Sequence, residues 1–513
     1  MNTLLRFRTP SVWLVFFLAL AFVLPFQGTR PLWGTDEGRY SAVAVEMLDS
    51  GDWLVPHRHP EHEHLSKPPL TYWSLAASME VFGRNTWALR LPGALAFALT
   101  IAGVFSIGRR LVPERPWWPP LIAAGTTMLF LAANVISTDA LLCAFETLGM
   151  VGYVLAWRGE DERTARRGAW LLGLGFGLAF LTKGPPGLVP LIPGLWFWAR
   201  NRREFRANPF TWTTLAVWAP VALAWFAVIV WNHPDRLHYF LGYETYGRIF
   251  TKAADRHPQW YGWIVAYGPV ALVGALPWTL VLLWDRWRRR DQTRVVDESA
   301  QKAERFVLLW LLLPLAVFCI SRSRLVLYVL PLLVPFALWA ALRLRHWQPG
   351  TLGKGLMTVW FVLLVAIKGG MPWVHSKAIV GKNSYLLSEV IRSQVHSPVH
   401  EVVFVDETAL YGIRVYLDIP VLRVDYGQTR KPDVDMTLAQ ALTQHRTQRL
   451  WMVHERTADK FEREVQAAGG TAAKVLTYRH YSGFVVEPNP ADSDSATHAA
   501  GNGQLTPVPA SPQ

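Results

Sequence analysis

The chain has 513 residues, of which 51% are hydrophobic and 26 are tryptophan, and its formal net charge is +13. The apolar residues gather in runs long enough to cross a bilayer as helices, which excludes an ordinary soluble protein of several domains. The excess positive charge lies mostly in loops on one side of these runs, so it indicates membrane topology and excludes nucleic acid as a partner.

The apolar runs predict a mainly α polytopic membrane protein with about eleven transmembrane helices, or eleven to thirteen if adjacent runs divide. Many runs begin or end at a tryptophan, whose indole ring suits the headgroup layer. The runs are Val12–Phe26, Trp87–Ile107, Trp117–Ala133, Ala140–Trp157, Trp170–Leu181, Gly187–Trp198, Thr213–Trp231, Trp263–Trp284, Phe306–Ile320, Leu325–Leu342 and Leu356–Val374.

Alternate threading from Arg6 and Arg8 inside the cell places every arginine-rich loop inside as well, as the positive-inside rule requires. These inner cations are Arg109, Arg110, Arg115, Arg158, Arg163, Arg166, Arg167, Arg200, Arg202, Arg203, Arg206, Arg286–Arg290, Arg343, Arg345 and Lys354. The pattern predicts a multi-pass membrane protein. Cations on the outer face oppose the insertion bias, so we expect them to bind phosphate. They are Arg39, Lys67, Lys183, Arg248, Arg322 and Arg324.

The first outer loop, residues 30–86, is predicted to carry the site. Asp36 and Glu37 would cap a helix that follows, or one of them would act as a base or a metal ligand. Arg39 lies three residues after Asp36, within reach on a helix face. Lys67 precedes two prolines that fix its backbone. It is either a snorkelling lysine at the membrane edge or a ligand for a phosphate.

Later outer segments add further candidate site residues. Asp139 follows Ser137-Thr138 as a second carboxylate or as a helix cap, and Lys183 lies in the tight turn Leu-Thr-Lys-Gly-Pro-Pro. Arg248 ends the segment Tyr-Glu-Thr-Tyr-Gly-Arg, while Arg324 and Tyr328 lie in Ser321–Pro331. The last two segments could also be interfacial anchors. Together they would bring more cations to the same face as the first loop.

The first loop also holds His57, His59, His62 and His64, which alternate with arginine, proline and glutamate. Their spacing is loose for a helical zinc pair, so solvated loop histidines are the favoured interpretation. Metal binding stays open because Glu61 and Glu63 lie in the same stretch. The two cysteines, Cys143 and Cys319, fall within spans and imply neither a disulfide framework nor a cysteine metal site.

The sequence predicts that the chain has three parts. Residues 1–374 form the predicted membrane region. Residues 375–488 alternate strand-like and helix-like segments, which predicts a small α/β domain that lies outside the cytoplasm if the number of spans is odd. Its predicted elements are Val402–Asp406, Ala409–Leu417, Val421–Val424, Leu438–His445, Leu450–Val453 and Ala458–Ala468. Residues 489–513 are rich in Pro, Ser, Ala and Gly and are predicted to be disordered.

The order of these motifs resembles the multispanning glycosyltransferases that use polyprenyl-phosphate sugars, which have the GT-C fold. The group includes lipid A aminoarabinose transferases, which are the more similar, and protein O-mannosyltransferases. The resemblance covers roughly residues 1–345. It is carried by Asp36–Tyr40, Glu46–Leu48, Gly51–Trp53, Lys67-Pro68, Phe82-Gly83, Arg90–Pro92, Leu181–Gly184 and Leu325–Pro331.

The resemblance implies that Asp36 lies at the reaction centre and that Asp139 is a second acidic site. It also implies that Arg39, Lys67, Lys183 and Tyr328 surround the donor phosphate. Close relatives carry a glutamate, a tyrosine and a histidine where this chain has Ser66, His64 and Thr245. Since that glutamate and histidine are linked to metal in the family, the metal stays unassigned, with Asp36 and His64 as candidate ligands.

The sequence thus predicts an inverting glycosyltransferase that moves a sugar from a polyprenyl (undecaprenyl) phosphate donor to lipid A or another envelope acceptor on the periplasmic side. A transporter of lipid-linked sugars, a protein O-glycosyltransferase and a membrane scaffold are the alternatives. The ionic residues collect on one face and few lie within spans, whereas transport sites tend to lie near the bilayer midplane. This distribution favours the transferase.

Overall fold

The computed structural model describes residues 11–240, 242, 256–288, 297–374, 382–427, 434–444 and 448–488. The chain divides into two compact units. The first comprises Met1–Pro31, Val43–Arg58 and Glu63–Val374, and the second comprises Leu32–Ala42, His59–His62 and His375–Gln513. The predicted site residue Arg248, its neighbour Thr245 and the predicted tail from residue 489 lie outside the described residues.

The first unit is built from helices. Helix α2 runs continuously from Gly34 to Ser50, although its residues up to Ala42 are grouped with the second unit. Short 3-10 segments cover Pro185–Leu188, Arg202–Glu204, Val326–Leu332 and Met371–Trp373. The helices are α1 (Val12–Val23), α2 (Gly34–Ser50), α3 (Leu70–Phe82), α4 (Thr86–Leu111), α5 (Trp118–Ala124), α6 (Thr127–Ala132), α7 (Thr138–Arg158), α8 (Glu162–Lys183), α9 (Leu191–Arg200), α10 (Trp212–Asn232), α11 (Arg236–His238), α12 (Gly262–Pro269), α13 (Trp278–Arg288), α14 (Glu298–Ile320), α15 (Leu333–Arg343) and α16 (Thr351–Gly370).

Six helical stretches among the described residues are long and apolar enough to cross a membrane, and a seventh results if the bent pair Gly262–Gly274 and Trp278–Arg288 is one span. Besides this bent pair, which corresponds to the predicted run Trp263–Trp284, two other predicted runs are interrupted. Trp117–Ala133 divides into α5 and α6 around Gly125, and Gly187–Trp198 becomes a 3-10 turn followed by the ten-residue α9. A helix of that length extends only about 15 Å, half the bilayer core. The predicted number of about eleven spans therefore stays a prediction.

Helices α7 and α8 pack through glycines. A Cβ atom on Gly152 would lie 2.4 Å from the backbone nitrogen of Leu172, and one on Gly175 would lie 2.2 Å from that of Gly149. Both distances are far below van der Waals contact, so only glycine allows this approach, as is common between helices in membranes. Because the two helices are joined by a short turn and run antiparallel, the beginning of α7 lies beside the end of α8.

Several helices of the first unit expose large apolar side chains. Helix α10 is buried over only 22% of its most apolar stretch, and the Thr351–Trp373 stretch over 11%. Trp212 and Trp231, at the two ends of α10, are 84% and 88% exposed. Water would oppose such a surface, whereas a bilayer covers it and places the indole rings in the headgroup layers.

The second unit contains a six-stranded sheet with the strand order β5-β4-β3-β6-β8-β7. Strands β4, β3 and β6 pair in parallel, and so do β5 and β4, while β8 and β7 are antiparallel additions. The strands of this sheet are β3 (Glu401–Val405), β4 (Val421–Asp425), β5 (Met436–Thr437), β6 (Arg449–His454), β7 (Gly470–Tyr478) and β8 (Tyr481–Pro488); β1 (His57–His59) and β2 (His62–Glu63) form a separate two-stranded sheet.

Within the described residues, four α-helices accompany this sheet, and its strand β3 is buried on both faces. They are α17 (Ser384–Gln394), α18 (Ile413–Leu417), α19 (Leu438–Thr443) and α20 (Ala458–Ala467). Val402 and Phe404 of β3 lie in one apolar cluster, and Val403 and Val405 lie in another. This is the usual environment of a parallel strand. The elements predicted between residues 402 and 468 lie within a few residues of those observed, but β5, α17 and the β7–β8 hairpin were not predicted.

The chain around the beginning of α2 is held to the rest of the second unit by main-chain contacts. Trp33 forms a β-bridge with Asn383, and the backbone nitrogen of Gly34 donates to the carbonyl oxygen of Lys382 at 2.9 Å. A Cβ atom on Gly38 would lie 2.4 Å from the backbone nitrogen of Gly412, so only glycine fits there. These contacts explain why a segment so early in the sequence is grouped with the C-terminal sheet.

Candidate functional site

The first unit brings together three predicted site residues that are far apart in the sequence. The ammonium group of Lys183 forms a direct ion pair with the carboxylate of Asp139, and each side chain is only 9% exposed. The same ammonium nitrogen lies 4.3 Å from the centroid of the Tyr328 ring, in cation–π geometry. We refer to Asp139, Lys183 and Tyr328 as the lysine cluster.

Local sequence positions each member of the lysine cluster. Ser137 is the N-cap of α7, and its hydroxyl accepts a hydrogen bond from the backbone nitrogen of Asp139 at 3.2 Å. Asp139 therefore lies in the first helical turn, where a carboxylate is favoured. Lys183 is the last residue of α8, which ends because Gly184 has a φ of +74° that side-chain-bearing residues rarely adopt. Tyr328 is carried by the 3-10 segment that packs against α7.

The lysine cluster has the chemistry of an anion-binding group. An ammonium group has three N–H donors, and the contact with Asp139 engages only part of this capacity. Asp139 and the π face of Tyr328 compensate the cost of burying the charge. In such a poorly solvated setting, a phosphate oxygen would be attracted much more strongly than in water.

Glu146, the other carboxyl group of α7, was not among the predicted site residues. It is 4% exposed and lies seven residues, or about two turns, after Asp139, on the same side of the helix. It is close enough to Lys183 for an electrostatic interaction. A carboxyl group inside the apolar run Ala140–Trp157 was the signal that could have identified it, because such groups within spans are rare and usually functional.

Arg324 has a different environment from the one predicted. It is 5% exposed, and its guanidinium donates hydrogen bonds to the carbonyl oxygens of His257, Gln259 and Cys319 at 2.6–3.2 Å. Its backbone nitrogen also donates to the carbonyl of Arg256 at 2.9 Å. These contacts hold the segment before α12 in place, and they favour a structural role for Arg324 over the predicted phosphate-binding role.

In the second unit, Asp36 and Arg39 form an ion pair one helical turn apart at the start of α2. The Asp36 side chain is 55% exposed and that of Arg39 is 13% exposed. Glu37 is 4% exposed, and its carboxylate accepts a hydrogen bond from the backbone nitrogen of Trp33 at 2.9 Å. The structure therefore gives Glu37 a helix-capping contact, which favours the structural alternative for it, and leaves Asp36 as the solvent-accessible carboxylate of the pair.

Lys67 is half-buried in the turn before α3, followed by the buried Pro68 and Pro69. The preceding hydroxyl, Ser66 Oγ, lies 2.9 Å from His64 Nε2. A neutral serine hydroxyl hydrogen-bonded to a histidine is a poor substitute for the carboxylate that the resemblance implies at this position. The residues described there do not fit the family's metal, so no step of the reaction is assigned to it.

Comparison with known proteins gives similarities over most of the chain. Residues 66–231 match the family model described as dolichyl-phosphate-mannose-protein mannosyltransferase. An undecaprenyl phosphate-alpha-4-amino-4-deoxy-L-arabinose arabinosyl transferase from Pseudomonas fluorescens (strain Pf0-1) is 30% identical over 68% of this chain. The chain spans 60% of that relative, which is less than two thirds of its length. The corresponding protein of Sodalis glossinidius is 32% identical over 72% of this chain and 67% of its own length.

Among solved structures, the crystal structure of ArnT from Cupriavidus metallidurans bound to undecaprenyl phosphate is similar to this one with a TM-score of 0.72. The match covers 92% of this chain and 97% of that protein, at 18% sequence identity. The apo form of the same protein gives a TM-score of 0.70. At this level of identity the likeness shows a shared fold, of the GT-C type, in a multi-pass membrane protein.

Proposed function

The chain belongs to the family of the undecaprenyl phosphate-alpha-4-amino-4-deoxy-L-arabinose arabinosyl transferases, and we propose that it is an inverting glycosyltransferase with a polyprenyl monophosphate sugar as donor. The expected donor lipid is undecaprenyl phosphate, which a structurally similar protein binds. The acceptor is lipid A or another envelope glycan or lipid.

The observation that carries this proposal is the lysine cluster. A transferase of this kind must hold a phosphate beside the membrane and stabilise the charge that grows on it as the sugar leaves. Lys183 provides a buried ammonium for that purpose, Asp139 orients it and balances its charge, and the ring of Tyr328 adds a cation–π contact. We assign phosphate binding to Lys183 and a positioning role to Asp139.

The remaining roles rest on the first outer loop. The acceptor oxygen attacks the anomeric carbon while the bond from that carbon to the phosphate oxygen breaks, and the phosphate departs with the electron pair. The acceptor proton passes to Asp36, which is exposed and kept in place by Arg39. If the acceptor is itself a phosphate, Asp36 orients it instead. Arg39 and Lys67 add positive charge for the departing phosphate.

The protein would lie in a bacterial inner membrane with the site and the C-terminal sheet in the periplasm. The distribution of arginines supports this orientation, since cations are retained preferentially on the cytoplasmic side. The proposed number of spans remains about eleven, which requires that the interrupted runs around α5, α6 and α9 also cross or enter the bilayer.

Transfer of labelled sugar tests the proposal. Membranes containing the protein are mixed with a labelled undecaprenyl-phosphate sugar and lipid A, and labelled lipid A is measured. We expect transfer with the wild type and none with Asp36→Asn. Asp49→Asn, on the same helix but paired with Arg84, is the matched control and should keep activity. Movement of the donor across the bilayer without labelled product would support the transporter instead.

Mass spectrometry of lipids from cells lacking the protein identifies the donor independently. A lipid-linked sugar that accumulates in those cells and in cells with Asp36→Asn, but not with the wild type, would be the donor. If no such lipid changes while the pathway is active, the donor class is wrong.

A further inference from the structure

The second unit contains a group of possible metal ligands that is separate from the lysine cluster. Among the described residues, one set of three histidine or carboxylate groups has its ligand atoms close together: His59, Glu61 and His62 lie with these atoms within 4.8 Å of one another. His59 is buried, His62 is half-buried and Glu61 is exposed. The set therefore joins a fixed interior ligand to two ligands that can adjust from the loop.

The hydrogen bonds of His59 select one ring nitrogen for a metal. Its Nε2 lies 2.8 Å from Glu401 Oε1, and its Nδ1 accepts a hydrogen bond from the backbone nitrogen of Glu61 at 3.2 Å. An imidazole that donates from Nε2 to a carboxylate has its lone pair on Nδ1. That lone pair faces the loop in which Glu61 and His62 lie, and a metal ion there would replace the hydrogen bond from the Glu61 backbone nitrogen.

Glu401 is itself held in place by a second contact. It is the first residue of β3, and its second carboxylate oxygen accepts from the Nε of Arg449 at the start of β6. Both carboxylate oxygens of Glu401 are therefore engaged, one by His59 and the other by Arg449. A carboxylate that accepts from the second ring nitrogen is a common support of a metal-binding histidine, since it fixes the tautomer and the ring orientation.

We propose that His59, Glu61 and His62 bind a divalent transition metal ion, with zinc as the best fit. Two nitrogen ligands and one carboxylate suit zinc, and a water molecule would complete a tetrahedral set. Ligand atoms around a tetrahedral zinc are about 3.3 Å apart, given bonds of about 2.0–2.1 Å. The present spacing of up to 4.8 Å needs a closure of at most about 1.5 Å, which rotation of the Glu61 and His62 side chains can supply.

This site differs in position and ligands from the metal linked to Ser66 and Thr245 by resemblance. A bound metal would hold the loop His59–His62 against the end of the sheet at which the central strands β3 and β6 begin, because His59 is hydrogen-bonded to Glu401. Its expected effect is therefore on the stability and order of the second unit. The inference does not depend on the proposed sugar transfer.

Metal binding by the full-length protein tests this proposal. The protein is purified in detergent with an affinity tag that contains no histidine, stripped with EDTA, and titrated with Zn²⁺ in competition with a coloured chelator. We expect one tightly bound equivalent in the wild type and at least a tenfold weaker affinity in His62→Ala. Co²⁺ in place of Zn²⁺ should give the visible absorption of a tetrahedral site, and this absorption should be lost in the same variant.

Two further variants keep the test decisive. His57→Ala is the matched control, because His57 lies in the same loop but its Nδ1 contacts the carbonyl of Val55 at 2.8 Å. It should bind as the wild type does. Glu61→Gln removes a ligand from an exposed position without a change in size, so it addresses the site even if His62→Ala fails to fold. The proposal is overturned if the wild type binds no tight equivalent, or if His62→Ala and Glu61→Gln both retain it.

Discussion

The ion pair between Asp139 and Lys183 offers the sharpest test of the proposed donor site. If the two side chains act as one unit, the loss of either should remove most of the pair's contribution to kcat/KM. Lys183→Met deletes the ammonium and leaves a buried carboxylate, whereas Asp139→Asn keeps the shape and leaves a buried ammonium. The double variant removes both charges and leaves neither uncompensated.

The magnitude follows from burial and contact. Two unit charges about 4 Å apart attract by about 4 kcal/mol at an effective dielectric constant near 20, and removal of one partner of a buried pair costs about 3–5 kcal/mol. Both side chains here are 9% exposed and in direct contact, so these values apply with little screening by solvent. Since every 1.4 kcal/mol is a factor of about ten, Lys183→Met should lower kcat/KM roughly a hundredfold to a thousandfold. Asp139→Asn should lower it about ten- to a hundredfold.

The double variant measures the coupling between Asp139 and Lys183. Because the groups are coupled, it should resemble Lys183→Met alone, with a coupling energy of about 2 kcal/mol in a double-mutant cycle. The assay is transfer of labelled sugar at donor concentrations well below KM, with the amount of folded protein measured by size-exclusion chromatography. Glu160→Gln, which removes the partner of Arg110 at 2.7 Å, is the matched ion-pair control and should keep full activity. Losses in the two single variants that simply multiply in the double variant would refute the reasoning.

Three other changes test the packing and the supporting contacts. Gly152→Ala should lower the thermal unfolding midpoint by several degrees, because its Cβ atom would lie 2.4 Å from a backbone nitrogen of α8, whereas Gly355→Ala, with open space around it, should not. Arg324→Lys should lower the same midpoint without weakening donor binding in a filter assay, and the exposed Arg322→Lys should change neither. Glu401→Gln should weaken Zn²⁺ affinity about 10- to 100-fold in the chelator titration, since metal ligands depend on such supporting carboxylates.

The candidate site was partly predictable because each motif has a charged residue at a position where membrane topology disfavours charge. Lys183 was identified from a cation on the outer face, and Asp139 from a lone carboxyl group in a short turn. Their direct contact could not be read from the sequence, since it depends on the antiparallel packing of α7 and α8. The same reasoning failed to separate Arg324 from the other outer cations. Charge and position in the chain do not reveal that a guanidinium is already engaged by backbone carbonyls.

For the fold too, features set by the local sequence were predicted, and features set by packing between distant segments were not. Long apolar runs such as Thr213–Trp231 correspond closely to helices, here Trp212–Asn232, because span length and hydrophobicity determine them. Breaks inside a run, such as the one at Gly125 between α5 and α6, depend on what packs beside the chain and were missed. So was the grouping of Leu32–Ala42 with the C-terminal sheet, because the backbone pairings of Trp33 and Gly34 join residues about 350 positions apart.

The two carboxylates assigned to the reaction have environments that suit opposite tasks. A group that accepts a proton from a substrate must be reachable, and Asp36 is 55% exposed. A group that fixes the orientation of a cation should be buried and already paired, as Asp139 is with Lys183. Exchange of the two roles would require Asp139 to leave an ammonium that is itself buried, at a cost of about 3–5 kcal/mol. For this reason Asp36, and not Asp139, is the residue on which we place the proton transfer.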